Sequence, residues 1–232
     1  MSVGTQNEST RVRWLEDALK KIPAGSRLLD AGAGEQQFRK FCTHLDYVAQ
    51  DFGQYDGTGN SAGLQIGKWD QSHLDIVCDI TAIPQPDASF DAIMCIEVLE
   101  HLPDPLAALR EFARLLKPGG YLILTAPFCS LTHFAPFHFA TGFNRYFYER
   151  HLPDCGLELV ELVTNGNYFE YLAQEVRRIP SVAARYTNDH PGRLERQAIK
   201  WVLGMLERLS RKDSGSDELL CFGYHVAAKK KV

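Results

Sequence analysis

The chain has no paired-cysteine motif, no long apolar run and no excess of positive charge, and each absence removes a class of function. Its six cysteines, Cys42, Cys78, Cys95, Cys129, Cys155 and Cys221, are scattered, and none forms C-x-x-C. A zinc site needs closer ligand pairs, so no metal is expected. Several of the cysteines lie in apolar strand-like runs, which reads as buried, reduced thiols of a cytoplasmic protein. No stretch approaches the ~18 apolar residues of a membrane span, and residues 1–10 are polar, without the apolar centre of a signal peptide. Against 25 Lys and Arg stand 29 Asp and Glu, a net charge of −4. That balance argues against a broad basic surface, and no nucleic-acid partner is expected. No internal repeat is present.

What is there is a chain of 232 residues, 45% apolar, long enough for one large α/β domain with elaborations or for two small ones. Its most informative stretch is Arg27-Leu28-Leu29-Asp30-Ala31-Gly32-Ala33-Gly34-Glu35. A short apolar strand runs into an acid, then Gly-x-Gly, then an apparent helix start. Glycine lets the backbone turn sharply and approach a ligand, and a helix N-terminus offers free N–H groups. This is the form of a nucleotide-type cofactor site at the end of a first strand. A dinucleotide fingerprint would need a third glycine where Gln37 stands, and Glu35 would face a pyrophosphate with negative charge. The other reading is a loop for a cofactor carrying an ammonium and a sulfonium, for which Asp30 is a suitable neighbour.

The rest of the chain alternates strands with helices or long loops. Residues 11–22 place Leu15, Leu19 and Ile22 on one helical face, and Pro23-Ala24-Gly25 ends that helix. Strands are predicted at 26–31, 46–51, 74–78, 90–96, 121–126, 157–163 and 218–228, and helices at 35–44, 105–117 and 144–152. Asp104 suits an N-cap and Pro105 a first helical position. Residues 52–72 form a loop too long to be a mere connector. Residues 127–143 are irregular and aromatic, and 167–212 are mostly helical with a break near 180–191. These spacings are too long for hairpins and imply a parallel, doubly wound sheet.

Taken in order, LLDAGAG (28–34), Asp51 closing the second strand, Asp79 after the third, FDAIMCIEVLEHL (90–102) and LLKPGGYLILTAP (115–127) resemble the core of class I S-adenosylmethionine-dependent methyltransferases, in particular the type 11 group. A shorter echo follows in residues 144–162. One departure is Gln36, where many members have a third glycine. The resemblance implies a Rossmann-like, doubly wound, seven-stranded and mostly parallel sheet with its last strand antiparallel. It implies S-adenosylmethionine as cofactor, held by Asp30, Ala31, Gly32 and Gly34 of the first loop. Asp51 would take the ribose hydroxyls, Asp79 and the Ile80 N–H the adenine, and the backbone at Cys95 the methionine ammonium.

On this reading the chain is a single domain, 1–232, with a core of 25–165 and 216–228 and a helical insert at 166–215. The expected reaction is methyl transfer to a small polar acceptor, with O-methylation of a sugar or related metabolite placed first and N-methylation second. A non-catalytic cofactor-binding protein of the same fold is the reading from another class. His138, His133 and His101 are the candidate bases, because a histidine titrating near neutrality can take a proton from an attacking hydroxyl. Tyr55 and Trp69 of the long loop are candidates to cover the adenine or the acceptor. The apolar stripe of the insert (Leu194, Ile199 or Ala198, Val202, Met205 or Leu206, Leu209) is expected to form a lid, a homodimer contact or simple packing.

Overall fold

The computed structural model describes residues 1–65 and 67–232. Seven strands form one sheet: β1 (Arg27–Ala31), β2 (Asp46–Asp51), β3 (Ile76–Val77), β4 (Phe90–Ile96), β5 (Leu116–Pro127), β6 (Leu157–Asn165) and β7 (Gly223–Lys230). Their order is β3-β2-β1-β4-β5-β7-β6. The pairs β1–β2, β1–β4, β2–β3 and β4–β5 are parallel, whereas β5–β7 is antiparallel. The doubly wound, mostly parallel sheet read from the sequence is therefore present. Strand order reverses between β1 and β4, and a crevice opens at such a point outside the carboxyl ends of the strands.

The central strands are apolar along nearly their whole length because they are covered on both faces. Leu28, Leu29, Ile93, Met94 and Leu124 are fully buried. Between β4 and β5 runs α2 (Pro105–Leu115), started by Asp104, whose carboxylate accepts the Ala107 N–H at 2.9 Å, with Pro105 in the first turn. Its Leu109, Phe112 and Leu115 are fully buried, each contributing about 1.5–3 kcal/mol by leaving water.

Several boundaries differ from the sequence expectation: the first helix runs Asn7–Leu19 rather than 11–22, and the last strand begins at Gly223 rather than 218. Residues 35–44 do not form an α-helix and contain only a short 3-10 turn, Arg39–Phe41. Gln36 sits at φ +58°, a left-handed conformation that breaks right-handed helix propagation. The α2 helix stops at Leu115, two residues early, and β5 begins at once. Phe90 pairs with Leu116 and Ala92 with Tyr121, so residues 117–120, holding the Pro-Gly-Gly stop, form a bulge within the strand. The third strand shrinks to two residues at the sheet's edge. Pro180 lies inside α4 (Tyr168–Tyr186) rather than between helices. The break comes instead at residues 187–192, before α5 (Arg193–Ser210).

The chain divides into two compact units, Met1–Val12 with Thr164–Phe222, and Arg13–Val163 with Gly223–Val232. In the first, Val3, Ala173, Leu203 and Leu206 make a small core with Phe169, Leu172, Val176 and Ile199 around it. The Gly4 N–H donates to Glu170 at 2.6 Å, and the Arg177 guanidinium donates to the Val3 carbonyl at 2.7 Å. The amino-terminal residues are thus tied to α4. The stripe expected to be buried on α5 is only partly so, since Leu194, Val202 and Met205 remain exposed. The second unit carries all the candidate site residues.

Candidate active site

The loop after β1 is fixed by its neighbour strand. The Gly32 and Ala33 N–H groups both donate to the Gln50 carbonyl at 2.9 Å. Gly32 has φ +79°, and a Cβ there would lie 2.6 Å from Val98 Cγ2, so both its backbone and its surroundings demand glycine. Gln36 occupies the left-handed position itself, and its side-chain amide donates to the His73 carbonyl at 2.6 Å. That bond offsets part of the roughly 1–2 kcal/mol strain of a left-handed non-glycine residue.

Asp51 closes β2 and is buried. One carboxylate oxygen accepts the Gly34 N–H and the other the Gly53 N–H, both at 3.0 Å. The oxygen facing Gly53 also accepts the Gln71 amide at 3.5 Å, and the one facing Gly34 keeps a further lone pair, which suits a ribose hydroxyl. Asp30 does something else on its own account. It is fully buried and accepts the Tyr47 hydroxyl at 2.5 Å. Burial pushes its carboxyl up to about 7, against the Tyr47 hydrogen bond and with a smaller push from Asp51. A buried acid held near neutrality ionises readily beside a cationic ligand. Ala31 is buried behind Gly32. Asp79 is exposed, and one of its oxygens accepts both the N–H and the hydroxyl of Thr81, closing a local turn. Ile80 is buried beside it, and Cys95 is fully buried in β4 opposite Leu124. The glycine backbone, the Asp51 hydroxyl acceptor and the near-neutral Asp30 fit a ribosyl, cationic cofactor.

The three histidines chosen from the sequence do come together, over the carboxyl ends of β4 and β5. His101 ends a 3-10 turn, Leu99–His101, directly after β4. His133 and His138 lie in the segment after β5. Ring centroids are 4.6 Å apart for His101 and His133, and 4.9 Å for His133 and His138. The His101 ring stacks on Phe134 at 5.0 Å. Burial, then the His133 charge, holds His101 down to about 3, and the same causes lower His138. His138 Nε2 lies 3.1 Å from the Ser130 hydroxyl.

Two further residues belong to this cluster: Glu100, which the family resemblance places on the loop near the methyl donor, and Tyr55, a candidate cover for the adenine or the acceptor. Glu100 is buried, its backbone carbonyl accepts the Phe139 and Ala140 N–H groups, and its carboxylate faces both His101 and His133. Tyr55 is buried at the centre of a ring cluster. Phe134 stacks on it at 4.8 Å, and Trp69 meets it edge-on at 5.0 Å. The long loop after β2 is thereby bound to the aromatic segment. The Asn60 N–H donates to the Ala135 carbonyl and the Phe134 N–H to the Leu64 carbonyl, each at 3.0 Å. Trp69 packs its ring over Gly34. Three loops that are distant in sequence therefore form one wall.

Comparisons with known proteins agree with this architecture. A methyltransferase domain family model matches residues 5–203. A demethylmenaquinone methyltransferase of Renibacterium salmoninarum is 35% identical over 172 residues, 72% of this chain and 65% of that protein. A ubiquinone biosynthesis O-methyltransferase of Xanthomonas oryzae pv. oryzae is 38% identical over 109 residues, 44% of this chain and 43% of that protein. The chain thus spans less than two thirds of the length of these relatives. Among solved structures, a SAM-dependent methyltransferase from Archaeoglobus fulgidus has a TM-score of 0.56 at 16% identity, over 97% of this chain and 94% of that one. The [4+2]-cyclase SpnF has a TM-score of 0.58 at 19% identity, over 99% of this chain and 84% of that one. The fold alone follows from these two. With the glycine loop, the strand order and the family match over 5–203 pointing the same way, the chain belongs to the class I S-adenosylmethionine-dependent methyltransferase family.

Proposed function

We propose that this chain methylates a hydroxyl oxygen of a small polar acceptor, using S-adenosylmethionine. The observation that carries the reading is the placement of the histidine and aromatic cluster at the carboxyl edge of β4 and β5, beside the glycine loop of β1. The donor supplies an electrophilic methyl group. Asp51 and the loop Asp30-Ala31-Gly32-Ala33-Gly34 would hold it, with Asp79, Ile80 and the backbone at Cys95 as the further contacts that the family resemblance assigns. The chain's own contribution is to orient the acceptor, exclude water and receive its proton. His138 is the better placed base, with its side chain partly open to solvent, whereas His133 has its Nδ1 held by the Leu131 carbonyl and His101 is packed between Phe134 and the Phe137 carbonyl.

The similarity to a demethylmenaquinone methyltransferase and a ubiquinone biosynthesis O-methyltransferase favours a hydroxylated ring as acceptor, and a sugar hydroxyl is the alternative taken from sequence. The exposed Leu194, Trp201, Val202 and Met205 of α5 are the surface through which a homodimer would form. The decisive experiment is release of S-adenosylhomocysteine over a panel of catechols, hydroxylated quinone precursors, sugars and small amines. Turnover on a hydroxyl acceptor is expected. Turnover confined to amines would overturn the O-methylation reading, and donor binding without turnover on any class would favour a cofactor-binding protein.

A further inference from the structure

We propose that Glu100, His101 and His133 bind a divalent first-row transition ion at the junction of the loops after β4 and β5. One ligand atom from each of the three lies within 4.8 Å of the others. The Nε2 atoms of His101 and His133 stand 3.7 Å and 3.8 Å from the same Glu100 carboxylate oxygen. Ligand atoms of a tetrahedral ion with bonds of about 2.1 Å stand roughly 3.4 Å apart, so small side-chain movements complete the coordination.

The tautomers are set for this role. His101 Nδ1 lies 2.5 Å from the Phe137 carbonyl, and His133 Nδ1 lies 2.8 Å from the Leu131 carbonyl. A carbonyl only accepts, so each Nδ1 carries a proton, and each ring turns its Nε2 towards the Glu100 carboxylate. This is also how metal-bound histidines are oriented, with the second ring nitrogen held by a backbone carbonyl or carboxylate. His101 Nε2 is buried and has no hydrogen-bond partner among the described residues, which is costly for a polar atom without a ligand. Glu100 is only 1% exposed, and a carboxylate in so dry a site interacts strongly with a cation held beside it.

Two imidazoles and one carboxylate suit zinc, iron, manganese or cobalt rather than calcium. Three protein ligands also leave at least one position open. On the methyl-transfer reading above, on which this last step rests, the open position takes the acceptor oxygen and lowers its pKa.

The test reads the metal directly, with neither donor nor acceptor present, so it is independent of turnover. The full chain, stripped with a chelator and dialysed, is titrated with Co²⁺ and with Zn²⁺. One equivalent is expected, with visible ligand-field absorption for Co²⁺, a raised melting temperature, and displacement of Co²⁺ by Zn²⁺. His133→Ala, at a partly exposed position, should weaken binding at least tenfold and change the Co²⁺ spectrum. Glu100→Gln serves as a second variant, checked for folding by circular dichroism, and should do the same. His151→Ala on α3 (Arg145–Asp154), away from the three ligands, should leave binding as it was. Absence of stoichiometric Co²⁺ binding, or binding unchanged within a factor of three in folded His133→Ala, overturns the site.

Discussion

Replacing Gly32 with alanine tests whether the first loop is held as the structure shows. The residue sits at φ +79°, where an L side chain costs about 1–2 kcal/mol. The new Cβ would lie 2.6 Å and 2.9 Å from the two γ-carbons of Val98. Overpacking of this kind costs about 1–3 kcal/mol, so the total expected loss is roughly 2–5 kcal/mol. The two parts separate in a double-mutant cycle. Val98→Ala removes both γ-carbons and leaves only the Val98 Cβ, at 3.3 Å. Gly32→Ala/Val98→Ala should therefore recover the overpacking share and keep the backbone share, giving a coupling of about 1–3 kcal/mol. Urea midpoints with unchanged m-values measure the stability part. Calorimetric titration with S-adenosylhomocysteine measures any part that appears as a distorted loop rather than as unfolding. A Gly32→Ala protein within 0.5 kcal/mol of wild type on both measurements, or a cycle without coupling, would refute the reasoning.

Further expectations follow from neighbouring residues. Asp51→Ala removes a charged acceptor of ribose hydroxyls and should cost about 1.5–3 kcal/mol of donor affinity, read by calorimetry; unchanged affinity would remove Asp51 from the site. For Asp30 the folded pKa of about 7 lies above the unfolded 3.8, so its contribution is fully present below about pH 4 and is lost as pH rises through 7. Asp30→Asn should therefore gain stability over wild type progressively from pH 4 to 8, by up to about 4 kcal/mol, and a gain that shrinks with pH would contradict the assignment. If His138 is the base, His138→Ala should lower kcat by roughly 10²–10⁴ with donor affinity intact. Equal kcat values for wild type, His101→Ala, His133→Ala and His138→Ala would leave orientation of the acceptor as the mechanism.

The sheet was legible because its strands are local and strongly patterned. β2 and β4 begin and end where the residues alone place them, since each is an apolar run bounded by turn-forming or charged residues. The antiparallel last strand came from the family resemblance, and its place beside β5 from the structure, because nothing local marks strand order. Residues 35–44 misled because Phe38, Phe41 and Cys42 have helical spacing, whereas the conformation is decided by Gln36, a residue with no intrinsic need for positive φ. The histidine cluster was half legible. Its members could be assigned to the right end of the sheet, but their mutual distances depend on how the loop after β4 meets the segment after β5. Glu100 reads as one more polar residue of a loop, and only the packing above it makes it a buried carboxylate. Likewise Tyr55 reads as a loop aromatic until Phe134, nearly eighty residues away, closes on it.

The two halves of the candidate site meet where Gly32 packs against Val98. The glycine loop after β1 and the turn after β4 are neighbours because strand order reverses between those strands. Gly32 admits Val98, Val98 lies one residue after Glu97, which takes φ +55°, and two before Glu100. The Glu97 N–H donates to the Thr125 carbonyl of β5 at 2.9 Å, and the Glu100 carbonyl accepts from Phe139 and Ala140. The turn after β4 is thus pinned to the β1 loop by side-chain packing, to β5 by a backbone bond, and to the aromatic segment by two more. Displacing Val98 moves a residue two positions from the buried carboxylate that faces His101 and His133. The strain placed at Gly32 should then be felt on both sides, as weaker S-adenosylhomocysteine binding and as a changed Co²⁺ spectrum of the same variant. An altered donor affinity with an unaltered metal spectrum would show that the turn after β4 absorbs the displacement before it reaches Glu100.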